Sequence, residues 1–538
     1  MQNFTTSYWP ATDDLPLLAT TCGGVLRARA LATPDAIALV EATPAPANRR
    51  RWTYAALYDD AQRVAGWLAE EFAPGTHIAV FGANRPEWVI AQFAIALSRL
   101  VMVTINPASK ARELEYALRQ SKSKAALYQR QYRGVDLGAL LEIAAKDLAI
   151  AGDHKIAFDD LPALSPSTAN RRLADADPRA IAMIQYTSGT TGAPKGAMLT
   201  HHSVTNNSRM MASIKGMNER TVNLAIPPLF HTGGCVGGVL ASVQTGGALL
   251  LPESFDAELM VDLIEQERVT YAFAVPTMLI GMLRAQAARP RDVGTLTTIF
   301  SGGTVVPVEI VKQVESTFGA TLIIGYGMTE TSPAITHTRL DDTSIDKSET
   351  IGRPISQIEV KIAGDGSDAV APIGTAGELL TRGFHLMAGY HDMPDETART
   401  IDADGWLHTG DLCTMDERGY FRIAGRLKDM IIRGGENIYP REIEDVLYVH
   451  PAIAEVAVFA VADEYFGEIV GAAIIFKPDA AADRADLEAF AAGLLARHKI
   501  PAKWFTVPAL PTTLSGKVQK FALTEMARTN ATSLRRLD

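Results

Sequence analysis

The stretch Tyr186-Thr187-Ser188-Gly189-Thr190-Thr191-Gly192-Ala193-Pro194-Lys195-Gly196 sits directly after the apolar run Ile181-Ala182-Met183-Ile184. Gly189 and Gly192 let the backbone come close to a ligand. Thr187, Ser188, Thr190 and Thr191 supply hydroxyl donors, and Lys195 supplies a point charge. Together these groups suit a triphosphate. The spacing is not that of a P-loop, which requires G-x-x-x-x-G-K-[ST] opening a helix. Here Pro194 precedes Lys195, and Gly196 follows it. Gly196-Ala197-Met198-Leu199 reads as a second strand, and Thr200 is the first plausible helix N-cap. The loop is therefore expected to join two strands, with no helix N-terminus at the phosphates.

Other groups with chemical potential are ambiguous when taken singly. Gly325-Tyr326-Gly327-Met328-Thr329-Glu330 follows the apolar run Leu322-Ile323-Ile324. It therefore lies at the carboxyl end of a strand, where ligands collect in layered α/β domains. Alone, Glu330 reads more often as a charge complementing a helix N-terminus. Asp411, closing Gly405-Trp406-Leu407-His408-Thr409-Gly410-Asp411, reads as a turn residue. His231 reads as a structural histidine, and Lys517, near the carboxyl end, as a solubilising lysine.

The elements that must position these groups follow a regular pattern. Strands at His77–Phe81, 100–104, 270–275, 298–300 and 321–324 alternate with helices at Pro86–Leu97, Ala111–Gln120, 276–287 and 308–317. This predicts α/β layers with mostly parallel sheets. From about Gly352 to Ile423 the texture changes to short strands with Gly/Asp turns, predicting a small antiparallel, barrel-like β unit. Beyond Gly425-Arg426-Leu427-Lys428-Asp429 a smaller α+β pattern follows, with helices at 439–449 and 486–498 and strands at 456–461 and 471–476. The expected division is an N-terminal domain, 1–427, and a small C-terminal domain, 428–538.

The 538 residues are too many for one core. A net charge of −10 argues against nucleic-acid binding, which needs a basic face. Cys22, Cys235 and Cys413 are scattered, so neither a disulfide framework nor a zinc spacing follows. The start lacks the basic and apolar regions of a signal peptide. Val89–Ile105, broken by Gln92, Ser98 and Arg99, is too short to span a bilayer. A cytoplasmic enzyme is the expectation, with room for peripheral membrane contact and for a homodimer.

The loop, taken with five further segments in order, resembles the adenylate-forming superfamily: acyl-CoA synthetases, peptide-synthetase adenylation domains and firefly luciferase. Those segments are PLFHTGG at 228–234, GYGMTE at 325–330, GWLHTGD at 405–411, GRLKDMIIRGGENIYPREIE at 425–444 and LSGKVQK at 514–520. The resemblance implies that Gly325, Tyr326 and Gly327 line the nucleotide site, with Tyr326 over the adenine. It places Thr329 at phosphate and Glu330 at Mg²⁺, a cation that takes oxygen ligands and is usually shared with phosphates. Asp411 and Arg426 would hold the ribose, and Ser301, Gly302 and Gly303 would line the adenine and acyl pockets. His231 would sit beside the substrate carboxylate. The glycines after it, Gly233, Gly234, Gly237 and Gly238, read either as a tunnel wall or as close helix packing. Lys517, preceded by Gly516, would be the catalytic lysine, with Lys520 passed over. Gly434, Gly435 and Glu436 would meet coenzyme A, and Lys428 would be the hinge.

By that resemblance the chain is an ATP-dependent carboxylic acid:CoA ligase, making acyl-adenylate and pyrophosphate, then acyl-CoA and AMP. Its co-substrates would be MgATP, a small carboxylic acid and CoA. The PLFHTGG form and Asn106-Pro107-Ala108 resemble synthetases for medium- to long-chain fatty acids, with aryl acids such as cinnamates as the alternative. A stand-alone adenylation enzyme and a luciferase-like enzyme are more distant readings.

Overall fold

In a computed structural model, the structure describes residues 3–148, 150, 152–166, 173–187, 194–302, 306–364, 369–434, 436–512 and 518–537. By internal packing the chain forms two compact units. One comprises Trp9–Val360 and Thr381–Leu407; the other comprises Met1–Tyr8, Lys361–Leu380 and His408–Asp538.

The larger unit is built on two sheets. A seven-stranded sheet runs in the order Gly389–Tyr390, Lys195–Thr200, Ile181–Thr187, Val101–Ile105, His77–Phe81, Ala125–Tyr128 and Lys155–Ala157. Its centre is parallel, and Val101–Ile105 is buried at every residue. That is the character of a strand covered on both faces. The helix Pro86–Leu97, predicted to the residue, opens with Pro at its first position and Glu87 in its first turn.

A nine-stranded sheet carries Thr298–Gly302 and Thr321–Tyr326 side by side and parallel, with Tyr271–Phe273 on the other side of the first. Its core includes a mainly aliphatic cluster from the strands and the flanking helices Ala257–Gln266, Pro276–Ala288 and Val308–Phe318, and a second cluster that contains Tyr271, Phe273, Phe300 and Ile323.

The smaller unit contains a six-stranded sheet in which Ile453–Asp463 and Gly467–Phe476 form a long antiparallel ribbon. It packs on Pro440–Tyr448 and Arg484–Ala492 through Ile443, Leu447, Leu487 and Ala491. The helix expected to reach His498 ends at Ala492. Gly493 follows, a poor helix former, and Arg497–Lys499 makes a separate 3₁₀ turn. A five-stranded sheet includes the antiparallel pair Leu407–Met415 and Phe421–Arg426, as the Gly/Asp turn texture predicted. Tyr8–Trp9 joins this sheet at one edge, a long-range pairing with no local sequence cue.

Candidate active site

In the larger unit, Ile181–Thr187 and Lys195–Thr200 pair antiparallel, with Thr187 opposite Lys195. The helix starts only at His201, where the Thr200 hydroxyl accepts from the Ser203 amide at 3.0 Å. The expectation of a strand-to-strand loop therefore holds, and the helix N-terminus lies a whole strand away. Ser188, Gly189, Thr190, Thr191 and Gly192 lie outside the described residues.

Lys195, at the base of the loop, points its ammonium at two groups. Its Nζ is 2.5 Å from Glu396 Oε2 and 5.0 Å from the Tyr390 ring centroid. The hydrogen bond from Lys195 holds the Glu396 carboxyl below its ordinary value. Tyr390 in turn donates its hydroxyl to Glu330 Oε1 at 2.7 Å. Burial, reinforced by the Glu330 charge, pushes the Tyr390 phenol up, so it remains a donor at neutral pH. The strand Gly389–Tyr390 pairs beside Lys195–Thr200, which is how these groups meet.

Glu330 is buried in a 3₁₀ turn, Thr329–Thr331, immediately after Thr321–Tyr326. Its backbone carbonyl accepts from the Met387 amide, and the turn is closed by Met328 N–H donating to Thr331 Oγ1 at 3.1 Å. Gly327 permits this geometry, because a Cβ there would lie 1.9 Å from the Pro333 carbonyl oxygen. Gly302 and Gly325 pair across adjacent strands, and a Cβ on Gly302 would lie 2.6 Å from the Gly325 carbonyl. Ser301 is fully buried with Oγ lacking a partner among the described residues. Gly303 lies outside them.

Among the described residues there is no cluster of three or more His, Cys, Asp or Glu side chains able to hold a metal. A single buried carboxylate at a strand end fits Mg²⁺ shared with a nucleotide's phosphates rather than an all-protein cage. When bound, Mg²⁺ supplies charge neutralisation at the phosphates. Glu330 is the described side chain that would hold it, with Tyr390 fixing one of its oxygens.

His231 caps the short helix Thr232–Gly234, and its carbonyl accepts from the Cys235 amide at 3.1 Å. The loop before it is held by Asn84, whose Oδ1 accepts from Leu229 N–H at 2.8 Å and whose Nδ2 donates to Pro227 O at 3.1 Å. Thr104 Oγ1 also donates to Phe230 O at 2.9 Å. A Cβ at Gly234 would lie 2.3 Å from the Pro228 carbonyl oxygen, so close packing accounts for that glycine. Gly237 differs: its nearest neighbour would be Met211 Cε at 3.8 Å, an ordinary contact. Gly237 lies in a π-helical segment, Cys235–Leu240, a geometry often found at functional sites.

In the smaller unit, Asp411 and Arg426 are cross-strand partners, with Arg426 Nε donating to Asp411 Oδ1 at 3.0 Å. Glu378 braces the turn before Asp411 by accepting from Gly410 N–H at 2.9 Å and pairing with His408 Nδ1 at 2.9 Å. A vicinal diol is matched by this pair, a carboxylate acceptor beside a guanidinium donor. Lys428 lies in the 3₁₀ turn Leu427–Asp429. Gly434, at φ +59°, turns the chain between Ile431–Arg433 and Glu436–Ile438, and Glu436 Oε2 is 3.4 Å from His498 Nε2. Lys517 and Gly435 lie outside the described residues. Lys520 is committed elsewhere, with Nζ 2.6 Å from Glu444 Oε1.

Residues 26–391 match the model of the AMP-binding enzyme family, and residues 442–517 match that of the AMP-binding enzyme C-terminal domain. The chain belongs to the AMP-binding enzyme family. The Bacillus subtilis protein named "Putative acyl-CoA synthetase YngI" is 39% identical, over 95% of this chain and 97% of its own. The mitochondrial medium-chain acyl-CoA ligase ACSF2 of Homo sapiens is 33% identical, over 88% and 83% respectively. Among solved structures, ATP-bound MatB from Rhodopseudomonas palustris superposes with a TM-score of 0.85 at 27% identity, covering 95% of this chain and all of that one. The o-succinylbenzoate-CoA synthetase MenE of Bacillus subtilis, solved with its acyl-adenylate, gives 0.82 at 28%, covering 97% and 100%. The layered α/β fold with its partial barrel is thus that of the adenylating enzymes. As a member of this family the protein works with ATP, Mg²⁺ and CoA. Sequence reasoning missed Tyr390, Glu396, Asn84, Thr104 and Glu378. None lies in a motif quoted above, and adjacency of Gly389-Tyr390 to the loop strand is visible only in the fold.

Proposed function

We propose that this AMP-binding enzyme is an ATP-dependent carboxylic acid:CoA ligase acting on medium- to long-chain fatty acids. The observation that carries the nucleotide half is the connected set Lys195, Glu396, Tyr390 and Glu330, assembled at the loop and the adjacent strand ends. The relatives named as acyl-CoA synthetase and medium-chain acyl-CoA ligase support the thiol half and the aliphatic acid.

A carboxylate is a poor electrophile, so it is first joined to the α-phosphate of ATP with loss of pyrophosphate, and CoA thiolate then displaces AMP. No residue need form a covalent bond, because positioning and charge neutralisation carry phosphoryl transfer. Lys195 meets phosphate on leaving Glu396, and Glu330 would hold Mg²⁺, which would supply charge neutralisation at the phosphates. Asp411 and Arg426 hold the ribose, Tyr326 covers the adenine, and His231 orients the acid. Thr329 and the loop residues 187–192 donate to phosphate. Lys517 stabilises the charge that accumulates between the acid and the α-phosphate. Residues 434–436 guide pantetheine.

The test is a panel of straight-chain and aryl acids assayed for pyrophosphate release with CoA present and absent. The expected outcome is CoA-dependent turnover that is highest for straight-chain acids between hexanoate and palmitate. Turnover confined to aryl acids overturns the chain-type assignment, and release without thioester formation overturns the ligase.

A further inference from the structure

The larger unit buries several polar atoms that have no hydrogen-bond partner among the described residues. Four of them are Lys215 Nζ, Tyr271 OH and both ring nitrogens of His337, on side chains that border one aromatic cluster with Phe273 and Phe300. Lys215 directly follows the helix His201–Ile214 and is 1% exposed. Its Nζ lies 3.7 Å from the Phe300 ring centroid, 5.8 Å from that of Tyr271 and 5.9 Å from that of Phe273. Phe300 stacks on His337 at 5.1 Å and meets Phe273 edge-on at 4.7 Å. An ammonium enclosed in aromatic rings gains some cation–π attraction, yet it gives up its hydration without a counter-charge. Burial accordingly lowers Lys215 to about 7 and His337 well below its ordinary value.

A lysine serving only to fill space would extend its ammonium to water, and a Met would pack as well without the desolvation cost. The location gives a second reason to expect a ligand. A Cβ built on Gly325 would lie 2.6 Å from Phe300 Cε2 and 2.9 Å from His337 Nε2. One built on Gly233 would lie 3.3 Å from Phe273 Cε1. The rings around Lys215 therefore pack directly behind the glycines of two motifs, GYGMTE and PLFHTGG, that flank nucleotide and acid.

We propose that Lys215, with Tyr271 and His337, recognises the far end of the acid, and that the enzyme prefers acyl chains terminating in an oxygen acceptor. The inference rests on the ligase reading above. Lys215 offers up to three donors, Tyr271 one and a neutral His337 one. This donor-rich set matches an ω-carboxylate, which would also supply the missing counter-charge, or an ω-hydroxyl, which could accept from one donor. A methyl terminus leaves every donor unsatisfied, and sites of that kind discriminate strongly against the analogue lacking the polar group.

The test uses the full-length enzyme with MgATP and CoA. Straight-chain acids from hexanoic to dodecanoic are compared with their ω-hydroxy and ω-carboxy counterparts of equal length, by kcat/KM for pyrophosphate release. The wild type is expected to favour an oxygen-terminated series. Lys215→Met should lower the ratio of oxygen-terminated to methyl-terminated kcat/KM by about tenfold or more. Tyr271→Phe, which removes one oxygen and leaves the ring, should lower it several-fold. A larger loss for the ω-carboxy than for the ω-hydroxy acids assigns the counter-charge role; equal losses assign hydrogen bonding. Should Lys215→Met fail to fold, the ratio in Tyr271→Phe decides. A ratio that is the same in wild type and folded variants overturns the proposal while leaving the ligase intact. Absence of CoA-dependent turnover with every acid overturns both.

Discussion

At the scale of single residues, the informative contact is the one between Lys195 and Glu396. An ammonium already paired at 2.5 Å would, in the phosphate-binding role proposed for it, exchange that carboxylate for phosphate when ATP binds. Two substitutions should then move ATP affinity in opposite directions. Lys195→Ala removes a charge-assisted hydrogen bond, worth ~1.5 kcal/mol or more, and should raise the KM for ATP about tenfold with little change for the acid. Glu396→Gln removes the competitor and should lower the KM for ATP. Steady-state kinetics with each substrate varied in turn check both, and an unchanged ATP dependence in a folded Lys195→Ala would refute the loop assignment. Tyr390 could not be placed in this set from the sequence, because its partner Glu330 is 60 positions away.

At the scale of elements, the helix that begins at Thr232 and passes into a π-helical segment separates two roles that the glycine spacing alone left mixed. Gly234 is packed against the Pro228 carbonyl, whereas Gly237 has only ordinary contacts around it. Gly234→Ala should force the backbone apart and cost about 1–3 kcal/mol of stability, the usual cost of overpacking. It should depress activity equally for every chain length. Gly237→Leu should instead reduce kcat/KM for the longest acids first, if this segment borders the acyl tunnel. Thermal melts and a chain-length series on both variants distinguish the two. A uniform loss from Gly237→Leu would assign this glycine to packing as well.

At the scale of the whole molecule, two chemical steps must use the same acyl carbon. In the roles proposed above, Lys517 and residues 434–436, which all follow Lys428 in the sequence, cannot serve one acyl carbon together. We propose that the segment 428–538 turns about Lys428 between the half-reactions, since hinges are element-terminal positions that absorb backbone change. Lys517→Ala should slow adenylate formation by roughly 10²–10³ while supplied acyl-adenylate still reacts with CoA. Gly435→Leu should do the reverse by crowding the pantetheine path. Lys428→Pro should spare adenylation and impair thioester formation by fixing the backbone. Single-turnover assays of each half-reaction check this, and equal slowing of both steps by all three variants would remove the alternating mechanism.

What the sequence determined by itself was local. The Pro at the start of Pro86–Leu97, the Thr200 cap and the alternation of β-branched runs with amphipathic windows are set by neighbours within a few positions. The same holds for the loop, whose Pro194-Lys195-Gly196 order excludes a helix start. The motifs that mark the family were legible for this reason, since each is a short stretch with its own turn or strand-end chemistry. What only the tertiary structure decided depends on strands brought together across long separations. Glu396 reaches Lys195 across 201 positions, Asn84 reaches Leu229 across 145, and Lys520 is taken by Glu444 rather than left for chemistry. The enclosure of Lys215 belongs to this class as well. Its helix, two strands carrying aromatic rings and the strand bearing His337 converge only in the folded sheet. Burial, which shifts a lysine's properties most, is a property of that convergence and not of the residues beside it.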